Sequence, residues 1–187
     1  DTEPFKQEGD TNIYKLLEYG DFDGVILLAN TFHLKMEFDY LRKVIKEKNL
    51  PAVSLEYQLP DIDFWGSDNY TGMYELCTHL VETHGVRDVV YISGPKDNAE
   101  SDIRRMALED VLGEFGVSFK EENVIYCNWN YYEVERNLPE WIKKRSKLPD
   151  AFVCANDVMA MATCETLDKM GISVPEDVKV TGFDHLL

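Results

Sequence analysis

A chain of 187 residues can bury one generous domain or two small lobes, and 44% hydrophobic with 29% charged residues is an ordinary globular composition. Its formal net charge of −16 argues against a surface that grips a phosphate backbone. No apolar run approaches the roughly 20 residues of a membrane span, and the opening DTEPFKQEGD reads as mid-protein sequence and not as a signal peptide.

In chain order, strands and helices alternate throughout. Residues 13–19 read as a short helix ended near Gly20, and 24–28 (GVILL) as a strand followed by Asn30 and Thr31. Leu34, Phe38, Leu41 and Ile45 mark one face of a helix reaching about Asn49. Residues 51–55 supply a strand, 56–63 are irregular around Pro60, and 64–67 form a brief strand closing on Asp68 and Asn69. Met73, Leu76, Cys77, Leu80, Val81 and His84 line the next helix, which Gly85 stops. Residues 87–92 are a strand ending in Ser93-Gly94-Pro95.

The second half repeats the arrangement. A helix from about Ser101 carries Ala107, Leu108, Val111, Leu112 and Phe115 on one face and ends before Gly116. Residues 124–127 form a strand followed by Asn128-Trp129-Asn130. The helical stretch 131–145 contains Pro139, which predicts a break near Asn137 and a fresh start at the proline. Residues 151–155 are a buried strand, Asn156 or Asp157 caps the helix that Gly171 ends, and 178–181 is the last strand, running into Gly182-Phe183-Asp184. This last strand–helix–strand unit implies parallel strands and a right-handed crossover. Alternation over the whole chain implies parallel sheets flanked by helices.

Asn30, Asp68, Ser93, Asn128, Asn156, Asp157 and Asp184 each follow the carboxyl end of a strand, the edge at which open α/β sheets gather ligands. Carboxylates there accept hydrogen bonds from hydroxyls, and a guanidinium such as Arg104 can reach two acceptors. Trp65, Trp129, Tyr131 and Phe183 lie close in sequence and could cover the C–H face of a sugar or the plane of a base. Duller roles stand beside these. Asn156, Asp157 and Asp68-Asn69 suit helix caps, Trp129 suits packing, and Arg104 suits a surface ion pair with Asp102 or Glu109. Gly182 removes a side chain that could crowd a ligand at Asp184.

No G-x-S-x-G elbow, Walker loop or G-x-G-x-x-G fingerprint occurs, so neither catalysis nor a cofactor is expected. His79 and His84 are five apart, the wrong spacing for a shared metal on a helix. Cys77, Cys127, Cys154 and Cys164 form no C-x-x-C pair and read as buried free thiols, not as disulfides or metal ligands.

The phrases DGVILL, PAVSLEY, SDNYTGMYELCTHLVETHGVRDVVYISGP, RRMALEDVL and LPDAFVCANDVMAMATCETLDKMGISVPEDVKVTGFD keep one order from Asp23 to Asp184. In that order and spacing they resemble the regulatory core of the lactose-repressor (LacI/GalR) family. The resemblance implies a two-lobed type I periplasmic-binding-protein architecture holding a small ligand in its cleft. Residues 1–85 would belong to the N-terminal lobe, 86–184 to the C-terminal lobe, and 185–187 would begin the crossover back. It raises Arg104, Asp157 and Asp184 above Asp68, Trp129 and Asn156 as ligand contacts. It further implies a non-enzymatic, cytoplasmic, homodimeric regulator sensing a saccharide, with no membrane contact. The same fold also serves as the input domain of other signalling proteins and as the solute receptor of sugar ABC transporters.

The departures are specific. The family's helix-turn-helix head and hinge helix are not in this sequence, nor is the opening strand, helix and strand of its core, so the N-terminal lobe is expected to be incomplete here. His185 stands where many relatives carry a second Asp, and the match could run through Arg105 instead of Arg104. DNA contact is accordingly assigned to a head outside these residues. The isolated chain is expected not to bind duplex DNA at physiological salt. Tight, salt-sensitive binding in an anisotropy titration would overturn that assignment.

Overall fold

In the computed structural model the described residues are 15–28 and 35–186, the side chains of 35–37 excepted. Asn30, Thr31 and Leu34, and the start of the first expected helix, lie outside them. The chain divides into two compact units, Asp1–Ser67 and Asp68–Leu187.

The first unit contains helix α1 (Leu16–Tyr19), strand β1 (Val25–Leu28), helix α2 (Lys35–Lys48), and strands β2 (Ala52–Leu55) and β3 (Asp63–Trp65). Its sheet is parallel in the order β1-β2-β3, with Val25 opposite Ala52 and Ser54 opposite Phe64. Leu41, Val44 and Ile45 recur at helical spacing on α2, and with Leu17, Leu27 and Leu59 they close a small core. On β1 only Leu27 is buried, while Ile26 and Leu28 on the other face are exposed.

The second unit runs α3 (Asn69–His84), β4 (Val89–Ser93), α4 (Ala99–Glu114), β5 (Val124–Tyr126), α5 (Tyr131–Ile142), β6 (Ala151–Cys154), α6 (Asp157–Lys169) and β7 (Lys179–Thr181). Its strands lie in the order β5-β4-β6-β7, all parallel, with Val90 opposite Phe152 and Phe152 opposite Val180. Every residue of β4 and β6 is buried, as expected of central strands covered on both faces. α3 packs along α4, and α5 along α6. Between them lies one core that includes Met73, Tyr91, Leu108, Leu138, Phe152 and Met159.

The apolar face Met73-Cys77-Leu80-Val81 of α3 is buried in the second core, so α3 belongs to the second compact unit. One expectation changes: α5 runs unbroken through Pro139. Val134 and Leu138 anchor it to the core and Asn137 donates to the Tyr126 carbonyl at 3.2 Å, so tertiary contacts hold the helix across the missing N–H.

All four cysteines are free; three are buried and Cys164 is half-buried. Burial pushes the Cys77 and Cys127 thiols up to about 12, which leaves them protonated packing groups. His79 and His84 sit edge to face at the exposed end of α3, with His79 Nδ1 3.1 Å from the Thr83 hydroxyl. Among the described residues no group of three or more His, Cys, Asp or Glu side chains could hold a metal ion.

Because α5 is already helical on both sides of Pro139, restoring an N–H there is expected to stabilise the chain. Pro139→Ala should gain about 1–2 kcal/mol, the relief of an interior proline less the entropy that proline removes from the unfolded state. Urea unfolding measures it, and a loss of stability would mean the proline is a fixed part of the α5 packing.

Candidate functional site

In a parallel sheet ordered β5-β4-β6-β7 the chain moves one way from β4 to β5 and the other way from there to β6. The direction reverses between β4 and β6, which opens a crevice outside their carboxyl ends. Those ends are Ser93-Gly94 and Ala155-Asn156.

Arg104, in the second turn of α4, fills that position. It is only 5% exposed. Its Nε donates to Asn69 Oδ1 at 2.8 Å, Nη1 to the Ala155 carbonyl at 2.5 Å, and Nη2 pairs with Asp184 Oδ1 at 3.2 Å and Glu100 Oε2 at 3.9 Å. The guanidinium carbon lies 4.1 Å from the centroid of the Phe183 ring and 5.6 Å from that of Trp129. Thus α3, α4, the β5 loop, β6 and the β7 loop all meet on one cation, with its planar fork matched to acceptors and its faces to rings. Arg105, about 100° further round the helix, points elsewhere and pairs with Glu109 at 2.7 Å and Glu121 at 2.8 Å. The ion pair with Glu109 therefore belongs to Arg105, and Arg104 is the inward arginine.

The other expected residues fall into two groups. Asp184 and Trp129 touch Arg104 directly. Asp68, Asn156 and Asp157 stand at helix starts on the same edge and are committed locally. Asp68 caps α3 by accepting from the Thr71 N–H at 3.0 Å, a bond that holds its carboxyl below its ordinary range. Asn156 caps α6 through the Met159 N–H at 2.9 Å. Asp157 accepts from the Leu186 N–H at 2.7 Å, while its own N–H donates to the Phe183 carbonyl at 2.8 Å. The segment after β7 is thereby tied to the first turn of α6.

Gly182 has a different reason from the one expected. A Cβ there would run into the Asp157 carboxylate and come within 3.1 Å of the Ala160 side chain, so the glycine admits α6, not a ligand. Gly94 is likewise needed because a Cβ would enter the Trp129 ring. Trp129 and Asn128 take left-handed backbone angles, φ 58° and 52°, and Asp184 and His185 do so at 99° and 57°. Asn128 donates to Glu133 at 2.8 Å, and the Tyr131 hydroxyl turns away to Glu165 on α6. Ser93 is buried against Ser101, hydroxyl to hydroxyl at 3.1 Å. Trp65 lies in the first unit and is exposed, and Asn30 is outside the described residues.

Sequence reasoning missed Asn69 and Glu100 as partners of the arginine. Asn69 follows the capping Asp68, and the pair DN does not reveal which residue caps and which faces inward. Glu100 carried a usable signal, an acid four residues before Arg104 on one helix face.

A parallel α/β unit with a buried polar anchor at its switch point defines a small-molecule-binding class. Residues 77–187 match the family model described as periplasmic binding protein-like domain, and the chain belongs to that family. Within it, the chain corresponds to the effector-binding core of LacI/GalR regulators. It is 28% identical over 170 residues to the HTH-type transcriptional repressor PurR of Photorhabdus laumondii, covering 88% of this chain and 47% of the relative. It is 27% identical over 169 residues to the probable HTH-type transcriptional repressor ExuR of Bacillus subtilis, covering 88% and 48%. The chain thus spans about half the length of the curated relatives it matches. Among solved structures, a sugar-binding LacI-family regulator from Escherichia coli complexed with phosphate shares the fold at TM-score 0.78 and 22% identity, over 93% of this chain and 61% of that one. The regulator CelR in complex with cellobiose matches at TM-score 0.75 and 28% identity, over 91% and 52%.

The geometry separates structural from exposed partners. Arg104→Ala removes the donors to Asn69 Oδ1 and the Ala155 carbonyl, and is expected to cost about 3–5 kcal/mol, the loss typical of breaking a buried pair. The Asp184 side chain is 35% exposed, so solvent screens its charge and Asp184→Asn should cost less than about 1 kcal/mol. Urea unfolding of both variants checks the contrast, and equal losses would make Asp184 a structural residue.

Proposed function

We propose that this chain is the effector-sensing core of a LacI/GalR-like transcription regulator and that its effector is a saccharide anchored at Arg104 and Asp184. One observation carries the reading: a buried guanidinium paired with a part-exposed carboxylate at the switch point of a parallel sheet. A donor and an acceptor 3.2 Å apart complement adjacent hydroxyls, each of which can accept from Arg104 and donate to Asp184. Phe183 and Trp129 supply apolar area beside them. Asp68, Asn156 and Asp157 border the same edge as polar rim. Likeness to a regulator solved with cellobiose supports the saccharide class.

The relatives are HTH-type repressors, which supports a cytoplasmic, homodimeric regulator whose DNA contact is made by a helix-turn-helix head and not by these residues. Effector binding shifts the regulator between two states, and it can do so only through a difference in affinity for them.

Calorimetric titration of the chain with cellobiose and a panel of neutral mono- and disaccharides tests this. At least one is expected to bind, and Asp184→Asn should weaken that ligand roughly ten- to a hundredfold, the worth of a hydrogen bond to a charged group. Unchanged affinity in the variant would remove Asp184 from the site, and absence of binding across the panel would remove the saccharide assignment.

A further inference from the structure

Asp157 opens α6, yet its polar groups are directed at the segment that follows β7. The helix end does not need its side chain, because Asn156 supplies the cap through the Met159 N–H at 2.9 Å. An acid in a first turn is an ordinary complement to the helix dipole and indicates nothing alone. What the dipole leaves unexplained is where the carboxylate reaches. Its Oδ2 accepts from the Leu186 N–H at 2.7 Å, and its Oδ1 fills the space that a Cβ on Gly182 would take. The Asp157 N–H donates to the Phe183 carbonyl at 2.8 Å. One residue thus holds the chain at positions 182, 183 and 186. Between those anchors stand Asp184 and His185, both with left-handed backbone, φ 99° and 57°. Non-glycine residues keep such angles only where the surroundings over-determine them.

We propose that Asp157 is a positioning residue of the effector site: it clamps the turn 182–186 on both sides of Asp184 and so sets that carboxylate against Arg104, without itself touching ligand. The role in effector binding rests on the reading of this edge as the effector site, whereas the clamp rests on the bonds of Asp157 alone. Losing the clamp would let the turn relax toward ordinary backbone and carry the Asp184 carboxylate away from Nη2, which it now meets at 3.2 Å. A bond from an N–H to a carboxylate is among the stronger hydrogen bonds, so the Leu186 anchor is well suited to that task.

The deciding measurement needs no ligand: amide exchange and side-chain carboxyl carbon shifts, read by NMR on the chain. Asp157→Ala is expected to speed exchange of the Leu186 amide roughly ten- to a hundredfold, the worth of a hydrogen bond to a charged group. It should also shift the Asp184 carboxyl carbon, while the Val90 and Val153 amides of the buried strands keep their rates, which a general loss of structure would not allow. Leu186 exchange unchanged from wild type, or an unmoved Asp184 carbon, overturns the proposal. Asp157→Asn keeps an acceptor without the charge and should give both changes at lower amplitude, so it decides by the same criteria if Asp157→Ala fails to fold. In a calorimetric titration with cellobiose, the loss caused by Asp157→Ala should be smaller in an Asp184→Asn background than in wild type, since one residue acts through the other. Additive losses overturn that route, and absence of cellobiose binding by wild type bears only on the saccharide reading, so the two can fail separately.

Discussion

A charged guanidinium buried to 5% exposure is the constraint on which the second unit depends. Taking such a group out of water costs several kcal/mol unless acceptors and opposite charge replace the solvent. The replacements come from an amide on α3, a carboxylate on α4, the carbonyl after β6 and the carboxylate after β7. None of these is a neighbour of the others in sequence, so the cation acts as a register pin: the four elements must be in place together for its charge to be compensated. Asn98 and Asn156 cap the two helices that bracket it, fixing where α4 and α6 begin and hence where their side chains point.

The surrounding architecture makes that arrangement affordable. β4 and β6 are buried throughout, and their registers with β5 and β7 hold four carboxyl ends level. A central strand buried on both faces gives the loops beyond it a rigid base, which is why polar groups in those loops can meet within hydrogen-bond distance. The first unit shows the contrast: among the described residues its sheet has three strands, and on β1 one apolar face stays exposed.

Much of this was legible in residues. GVILL, PAVSL, RDVVYI and AFVCA announce strands by apolar runs between breakers, and Leu41, Val44 and Ile45 announce a helix by spacing. Position at strand ends marks Asp68, Ser93, Asn128, Asn156, Asp157 and Asp184 because a parallel sheet gathers such ends on one edge. What could not be read were decisions made by tertiary contact. Periodicity cannot say which core claims α3, since an apolar helix face fits either lobe. Pro139 reads as a break because propensity is local, whereas Leu138 and Val134 hold the helix from outside it. Gly182 reads as room for a ligand because the Asp157 carboxylate packed against it is remote in sequence.

The backbone shows what positioning the site costs. Among the described residues Asn128, Trp129, Asp184 and His185 take positive φ in the loops after β5 and β7. A left-handed angle costs a non-glycine residue about 1–2 kcal/mol, and for a bulky side chain such as tryptophan it is uncommon. The left-handed turn at Asn128-Trp129 lays the indole over Gly94 and toward Arg104, and at the one at Asp184-His185 the carboxylate meets Nη2 while Leu186 N–H reaches Asp157. Strain placed at both loops that meet the buried cation, over strands whose burial is complete, is the pattern of a site held by its scaffold and not by its own local preferences.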